Sequence, residues 1–212
     1  MQRSVKYLLL ASLLAVFPVR PASAGADLLF KNFTGDPFGD GGALYTGGGP
    51  CFVSCFAIGD NFEATGVWIV NWFVYYMLYD GDPVALGSNV RFAVYTTAGV
   101  QVVAPTSASP TVTSTGLTYS SWTIYKLEIT GLNIVLLPGQ YQFRATNTNV
   151  QAIYPALGTA SVQTVSPGLI QLTGSGSVET VASTNVTQRF VDWAFEVWGT
   201  NDTELKNSFE DL

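Results

Sequence analysis

Carboxylates are the main acid–base groups available to this chain, because it contains no histidine. That absence removes the Ser-His-Asp triad, the Cys-His pair and every His-ligated metal centre. Cleavage of a glycosidic bond would need two carboxylates facing each other across a cleft. Asp192 and Glu196 lie in the run Val191–Val197 and share one strand face. At i and i+4 of an extended chain they stand about 13 Å apart, so they do not make that pair alone. Pairing either of them with Glu128 or Asp60 depends on the fold. The ordinary reading of all four is a solvated carboxylate. A Ser-Lys dyad would have to use Lys31, Lys126 or Lys206, and none follows a serine at the Ser-x-x-Lys spacing. The sequence therefore predicts no catalytic set and a protein that is not an enzyme.

Two acidic turns suit a metal better. Asp36-Pro37-Phe38-Gly39-Asp40-Gly41-Gly42 and Asp80-Gly81-Asp82 place carboxylates beside glycines. Calcium takes several oxygens from flexible loops, so Asp36, Asp40, Asp80 and Asp82 are the candidates for a structural calcium, the one cofactor the sequence suggests. Neither loop follows the EF-hand pattern, and Asp next to Gly is also ordinary turn chemistry. The only cysteines, Cys51 and Cys55, are too few for a structural zinc. In an exported protein two thiols so close are expected to form a disulfide. It would close a short loop and pin a local turn. Their C-x-x-x-C spacing is not the C-x-x-C of thiol redox centres.

Aromatic rings are the third resource. Trp68, Trp72, Tyr75, Tyr76, Tyr79, Trp122, Trp193 and Trp198 are many for one domain. Buried rings fill a core, while exposed rings stack on sugars without any catalysis. Trp122, beside the polar run Thr118-Tyr119-Ser120-Ser121, is the ring most suited to exposure. The candidate ligand-binding set is Trp122, Trp68, Trp72 and Tyr119, with a polysaccharide or another surface protein as partner. Three Asn-x-Thr sequons, at Asn32, Asn185 and Asn201, carry information only in a glycosylating secretory route.

The start of the chain decides the compartment. Arg3 and Lys6 precede the apolar run Tyr7–Phe17, and Ala22-Ser23-Ala24 follows. A basic region, a short apolar core and a small-x-small ending read as a secretory signal peptide, residues 1–24. Arg3, Lys6 and Arg20 are three of the nine basic residues, and none of the fifteen acidic ones lies there. Removal of the signal leaves six basic and fifteen acidic residues, a formal charge of −9 over 188 of the 212 residues. Such acidity disfavours nucleic acid and anionic membrane surfaces. After the signal no apolar run reaches the roughly 20 residues of a membrane span. The expected location is secreted: periplasm, medium or cell surface.

The elements that must position these groups are strands. Tyr125–Ile129, Gln140–Ala145 and Val191–Val197 alternate apolar and polar residues, the period of a sheet with one face in water. This alternation assigns Trp193 to the core. Further strands are expected at Asp27–Phe33, Phe56–Ala64, Val67–Tyr79, Val90–Thr96, Val100–Val103, Val112–Ser114, Ile134–Leu136, Ala152–Tyr154, Val162–Val165, Leu169–Leu172 and Glu179–Ala182. Val67–Tyr79 is apolar on both faces, which predicts a central strand, bent near Asn71. Thr97-Ala98-Gly99 and Pro138-Gly139 supply turn chemistry. Many short strands in one domain predict an all-β, two-sheet antiparallel sandwich, jelly-roll-like, over residues 25–200, with 201–212 as a polar tail.

Five segments carry a resemblance. They are Ala57–Phe62, Val67–Tyr76, Val90–Tyr95, Leu137–Phe143 and the closing run Asp192–Thr200 with its Asp192-Trp193-Ala194-Phe195. Together they resemble exported bacterial β-sandwich domains of surface proteins with PEP-CTERM-type sorting tails. The resemblance implies a sandwich fold and a place outside the cytoplasm, and says little about activity. The end of this sequence shows neither a Pro-Glu-Pro motif nor an apolar helix, so release is expected in place of anchoring by that route. The sequence thus predicts an exported, non-catalytic surface or extracellular-matrix interaction protein. A carbohydrate-binding module with an aromatic platform is the alternative, and a carboxylate-only glycoside hydrolase a third reading.

Overall fold

Period-two alternation of β-branched and aromatic residues drives the chain into antiparallel strands. The computed structural model describes residues 26–33, 35–36, 57–119, 121–147, 154–155, 170–172, 186–188 and 193–202. Along them run β1 (Asp27–Lys31), β2 (Ala57–Ala64), β3 (Trp68–Tyr79), the short helix α1 (Pro83–Leu86), β4 (Val90–Thr96), β5 (Gln101–Ala108), β6 (Thr111–Tyr119) and β7 (Trp122–Ile129). Then come β8 (Ile134–Leu136), β9 (Gly139–Asn147), β10 (Tyr154–Pro155), β11 (Ile170–Leu172), β12 (Val186–Gln188) and β13 (Phe195–Asn201). A seven-stranded sheet has the order β1-β13-β3-β7-β6, with β8 and β10 also paired to β3. A six-stranded sheet has the order β12-β11-β2-β9-β4-β5. The two form the expected all-β antiparallel sandwich.

The core lies between the sheets. Phe143 of β9 stacks on Phe73 of β3 at 4.5 Å and on Trp193 at 5.7 Å. Phe62, Phe195, Val94, Leu127 and Leu136 complete the same buried cluster. Trp193 is fully buried, as alternation required, and its indole N–H donates to the Tyr76 carbonyl at 2.9 Å.

One irregularity governs how β3 displays its side chains. Trp68 and Val70 face the core, and so do Phe73, Tyr75 and Met77. The inward phase therefore changes between Val70 and Phe73. Across the strand pair, Trp198 of β13 lies opposite Trp72 and Gly199 opposite Val70, leaving Asn71 as the extra residue of a β-bulge. This is the bend expected near Asn71. The Leu132 N–H donates to the Asn71 carbonyl at 2.9 Å, so the bulged backbone is satisfied from the loop between β7 and β8. At the same place the partner of β3 changes from β7, at Ile129, to β8, at Ile134.

Several boundaries differ from expectation. β5, at 8 residues, is twice as long as its apolar run Val100–Val103, and β6, at 9 residues, three times as long as Val112–Ser114, because edge strands need no continuous apolar face. β13 continues through Thr200 and Asn201, which pair with Ile69 and Trp68, so the sheet includes the first residue assigned to the polar tail. The expected strands at Val162–Val165 and Glu179–Ala182 lie outside the described residues, as does the signal segment. Among the described residues no helix is long and apolar enough to cross a membrane.

Candidate functional site

Asp60 belongs to the frame. It is fully buried on β2. Its Oδ2 accepts the Trp193 N–H at 2.7 Å, and its Oδ1 accepts the Asn61 N–H at 2.7 Å. Asn32, also fully buried, donates from Nδ2 to Asp60 Oδ2 and to the Trp193 carbonyl, and accepts the Phe195 N–H at 3.0 Å. A buried carboxylate without partners would be costly; here it fastens β2 to the start of β13 across the two sheets. The same burial removes Asn32 from the possible glycan sites in the folded protein.

The bulge at Asn71 turns Trp72, Val74, Tyr76 and Leu78 towards the outer face of the seven-stranded sheet, where they join a second apolar cluster. β13 adds Trp198 and Glu196, β7 adds Trp122, Ile124, Lys126 and Glu128, and β6 adds Leu117 and Tyr119. Trp72 and Trp198 sit directly opposite each other and stack at 5.8 Å with 19° between their planes. Both are half-buried.

A charged row crosses this face. Lys31 of β1 pairs with Glu196, Glu196 with Val74, and Val74 with Glu128. The fold thus brings Glu196 and Glu128 onto one face, two interstrand steps or roughly 10 Å apart. Glu196 is buried and well supplied with donors. Trp198 Nε1 donates to Oε2 at 2.7 Å, and Tyr76 Oη to Oε1 at 3.2 Å, with Lys31 Nζ 3.7 Å from Oε1. The Lys31 ammonium also lies 4.0 Å from the centre of the Phe33 ring. Glu128 pairs with Lys126 at 3.1 Å. Burial, and then the charges of Glu196 and Glu128, hold the Tyr76 phenol well above its ordinary value. The face therefore combines a stacked indole pair with two neutralised carboxylates, and each charge already has a partner.

Three of the four expected aromatic contacts, Trp72, Trp122 and Tyr119, lie on this face, the last two as cross-strand partners at the β6–β7 turn. Trp68 does not. It points into the core at 2% exposure and stacks on Phe62, because it precedes the phase change at Asn71. Trp198, outside the expected set, takes its place on this face; its i+2 spacing from Glu196 is the signal the sequence carries.

The acidic turns hold different roles. Asp82 caps α1, with its Oδ1 accepting the Val84 N–H at 2.9 Å and Pro83 at the first helical position. Asp80 and Asp36 are exposed. Asp40, Cys51, Cys55 and Asp192 lie outside the described residues. Among the described residues no group of three or more His, Cys, Asp or Glu side chains could hold a metal ion.

The outer face of the six-stranded sheet holds Gln142 and Arg144, which the alternation of Gln140–Ala145 places in water, with Asn61 of β2 beside them. Asn61, Gln142 and Arg144 are all buried. Gln142 Nε2 donates to Asn61 Oδ1 at 3.2 Å, and Arg144 Nε donates to Gln142 Oε1. The Arg144 guanidinium stands 4.2 Å from the centre of the buried Tyr95 ring, and burial lowers its pKa. Alternation identifies Gln142 and Arg144 as sharing a face, but it does not report whether that face meets solvent. No protein-family model and no curated protein matches this chain.

Proposed function

We propose that this chain is an exported, non-catalytic interaction module that binds polysaccharide through the outer face of its seven-stranded sheet. The observation that carries this reading is the half-buried Trp72–Trp198 stack beside the Lys31–Glu196 pair. Indole faces suit the apolar faces of sugar rings, and adjoining charged groups suit their hydroxyls. Export rests on the basic, apolar and small-residue order of residues 1–24 and on the resemblance to exported bacterial sandwich domains.

The state of the two glutamates supports binding over hydrolysis. A glycosidase keeps one carboxyl free to give up a proton and a second free to attack or to activate water. Here Glu196 is held by Trp198, Tyr76 and Lys31, and Glu128 by Lys126. A glycan array followed by calorimetry on the secreted protein tests the reading. Trp72→Ala and Trp198→Ala should each weaken glycan binding by about tenfold. Absence of binding to any glycan, with and without calcium, would replace polysaccharide by a protein partner. Glycan cleavage that Glu128→Gln or Glu196→Gln abolishes would make the chain a hydrolase.

A further inference from the structure

We propose, resting on the polysaccharide reading of the outer face, that the ligand is a straight, uncharged polysaccharide laid lengthwise along β7 and held by aromatic rings at both ends of that strand. The Trp72–Trp198 stack stands at one end of the face. Trp122 and Tyr119, cross-strand partners at the β6–β7 turn and both half-buried, stand at the other. All four rings pack against the same outer cluster. Phe73 pairs with Ile129 and Tyr79 with Thr123, so Trp72 and Trp122 are offset by about eight residues, or roughly 25 Å along extended strands. A disaccharide touches one end of such a span and not the other.

The ground between the two ring clusters is polar. Val74, Tyr76, Leu78 and Ile124 form its buried floor. Lys126 and Glu128 of β7 keep 34% and 27% of their side-chain surface in solvent. Thr111 and Thr113 of β6 lie directly opposite Glu128 and Lys126, on the same face, and are exposed. Hydroxyl, ammonium and carboxylate groups together supply donors and acceptors for sugar hydroxyls. The lane thus offers apolar ring faces at its ends and hydrogen-bonding groups along its middle.

Shape and charge select the class of polymer. The lane follows extended strands, so it suits a chain that itself runs straight, as cellulose and chitin do. Starch-type chains coil and leave such a path within a few units. Lys126 is engaged by Glu128 and Lys31 by Glu196, so both cations of this face already serve a carboxylate. The whole chain carries a formal charge of −6, which repels uronate and sulfate polymers. A polymer that reaches both ring clusters makes its second contact within one complex, and its affinity therefore rises with length.

Calorimetry of the secreted full chain tests this, with the disaccharide and hexasaccharide of cellulose and of chitin, with maltohexaose and with polygalacturonate. One of the straight hexasaccharides should bind about tenfold tighter or more than its own disaccharide. Trp122→Ala should weaken that hexasaccharide by about tenfold and its disaccharide by about twofold at most. Trp122→Phe, which keeps a ring, should retain most of the affinity, and unchanged melting midpoints verify that both variants are folded. Equal affinity for the two lengths overturns the inference, as does a hexasaccharide affinity that Trp122→Ala leaves intact. Binding confined to maltohexaose or polygalacturonate overturns it too, while leaving the polysaccharide reading in place. Absence of binding to every glycan removes both.

Discussion

The carboxylate of Asp60 on β2 accepts the backbone N–H of Trp193 at 2.7 Å, and this one bond spans the two sheets of the sandwich. The Asn61 N–H shares the same carboxylate at 2.7 Å. Asp60→Ala should therefore leave two buried donors without acceptors and cost about 2–5 kcal/mol. Urea unfolding measures this directly. A loss below about 1 kcal/mol would mean that the clamp is dispensable. Asp60→Asn, which keeps one acceptor oxygen, should lose less.

Two glycines on neighbouring segments should respond very differently to alanine. A Cβ on Gly199 would overlap the carbonyl of Ile69 and come within 3.0 Å of Val70 Cα, and backbone cannot move aside cheaply. Gly199→Ala should cost about 3 kcal/mol or more. The atoms nearest a Cβ on Gly66 belong to the side chain of Asn201, which can rotate away. Gly66→Ala should cost less than about 1 kcal/mol. Equal melting midpoints for the two variants would contradict the tight approach of β13 to β3 at the bulge.

The Asp82 carboxylate is engaged as a helix cap. Asp82→Ala should lower stability by about 1 kcal/mol through loss of the bond to the Val84 N–H. A chelator should leave the melting midpoints of both wild type and variant unchanged. A chelator-dependent fall in the wild type that disappears in Asp82→Ala would establish a calcium site at this turn.

High pH should weaken the fold through its tyrosines. Burial raises the Tyr75 phenol, and burial together with Glu196 and Glu128 raises Tyr76, both well above the ordinary tyrosine value. Their folded pKa values exceed the unfolded one, so the folded state holds these protons more tightly. Their contribution is complete below about pH 10 and declines as pH rises beyond it. Tyrosinate absorbance should show exposed tyrosines ionising first, with Tyr75 and Tyr76 ionising only as near-ultraviolet dichroism is lost. Tyr76→Phe should reduce the alkaline loss of stability. An unchanged profile would show that Tyr76 is not responsible.

Side-chain alternation makes the sandwich legible in the sequence itself. Val90–Thr96 and Ile134–Leu136 match β4 and β8 residue for residue, and Trp193, Phe195 and Val197 face the core as their spacing required. Strands that lie at an edge were harder to read. β6, Thr111–Tyr119, is mostly threonine and serine, because only Val112 has to reach the main core. Depth was harder still. Glu196, Gln142 and Arg144 occupy polar positions of good alternating patterns, yet each is buried. Pairing to another strand assigns a residue to a face, whereas burial depends on distant groups such as Lys31 and Tyr76 gathering over it. The Glu196–Glu128 juxtaposition belongs to the same class, since it requires β3 to run between β13 and β7.

The extra residue at Asn71 has a consequence for how this surface can change. It divides one strand into two halves read in opposite frames, so that Trp68 before it is structural ballast and Trp72 after it meets the outside. Loss of that one residue would restore a single frame and exchange the inward and outward sets of one half of the strand. The aromatic display of this sheet can thus be rewritten by one insertion or deletion, a route open to the lineage without changing the identity of a single tryptophan.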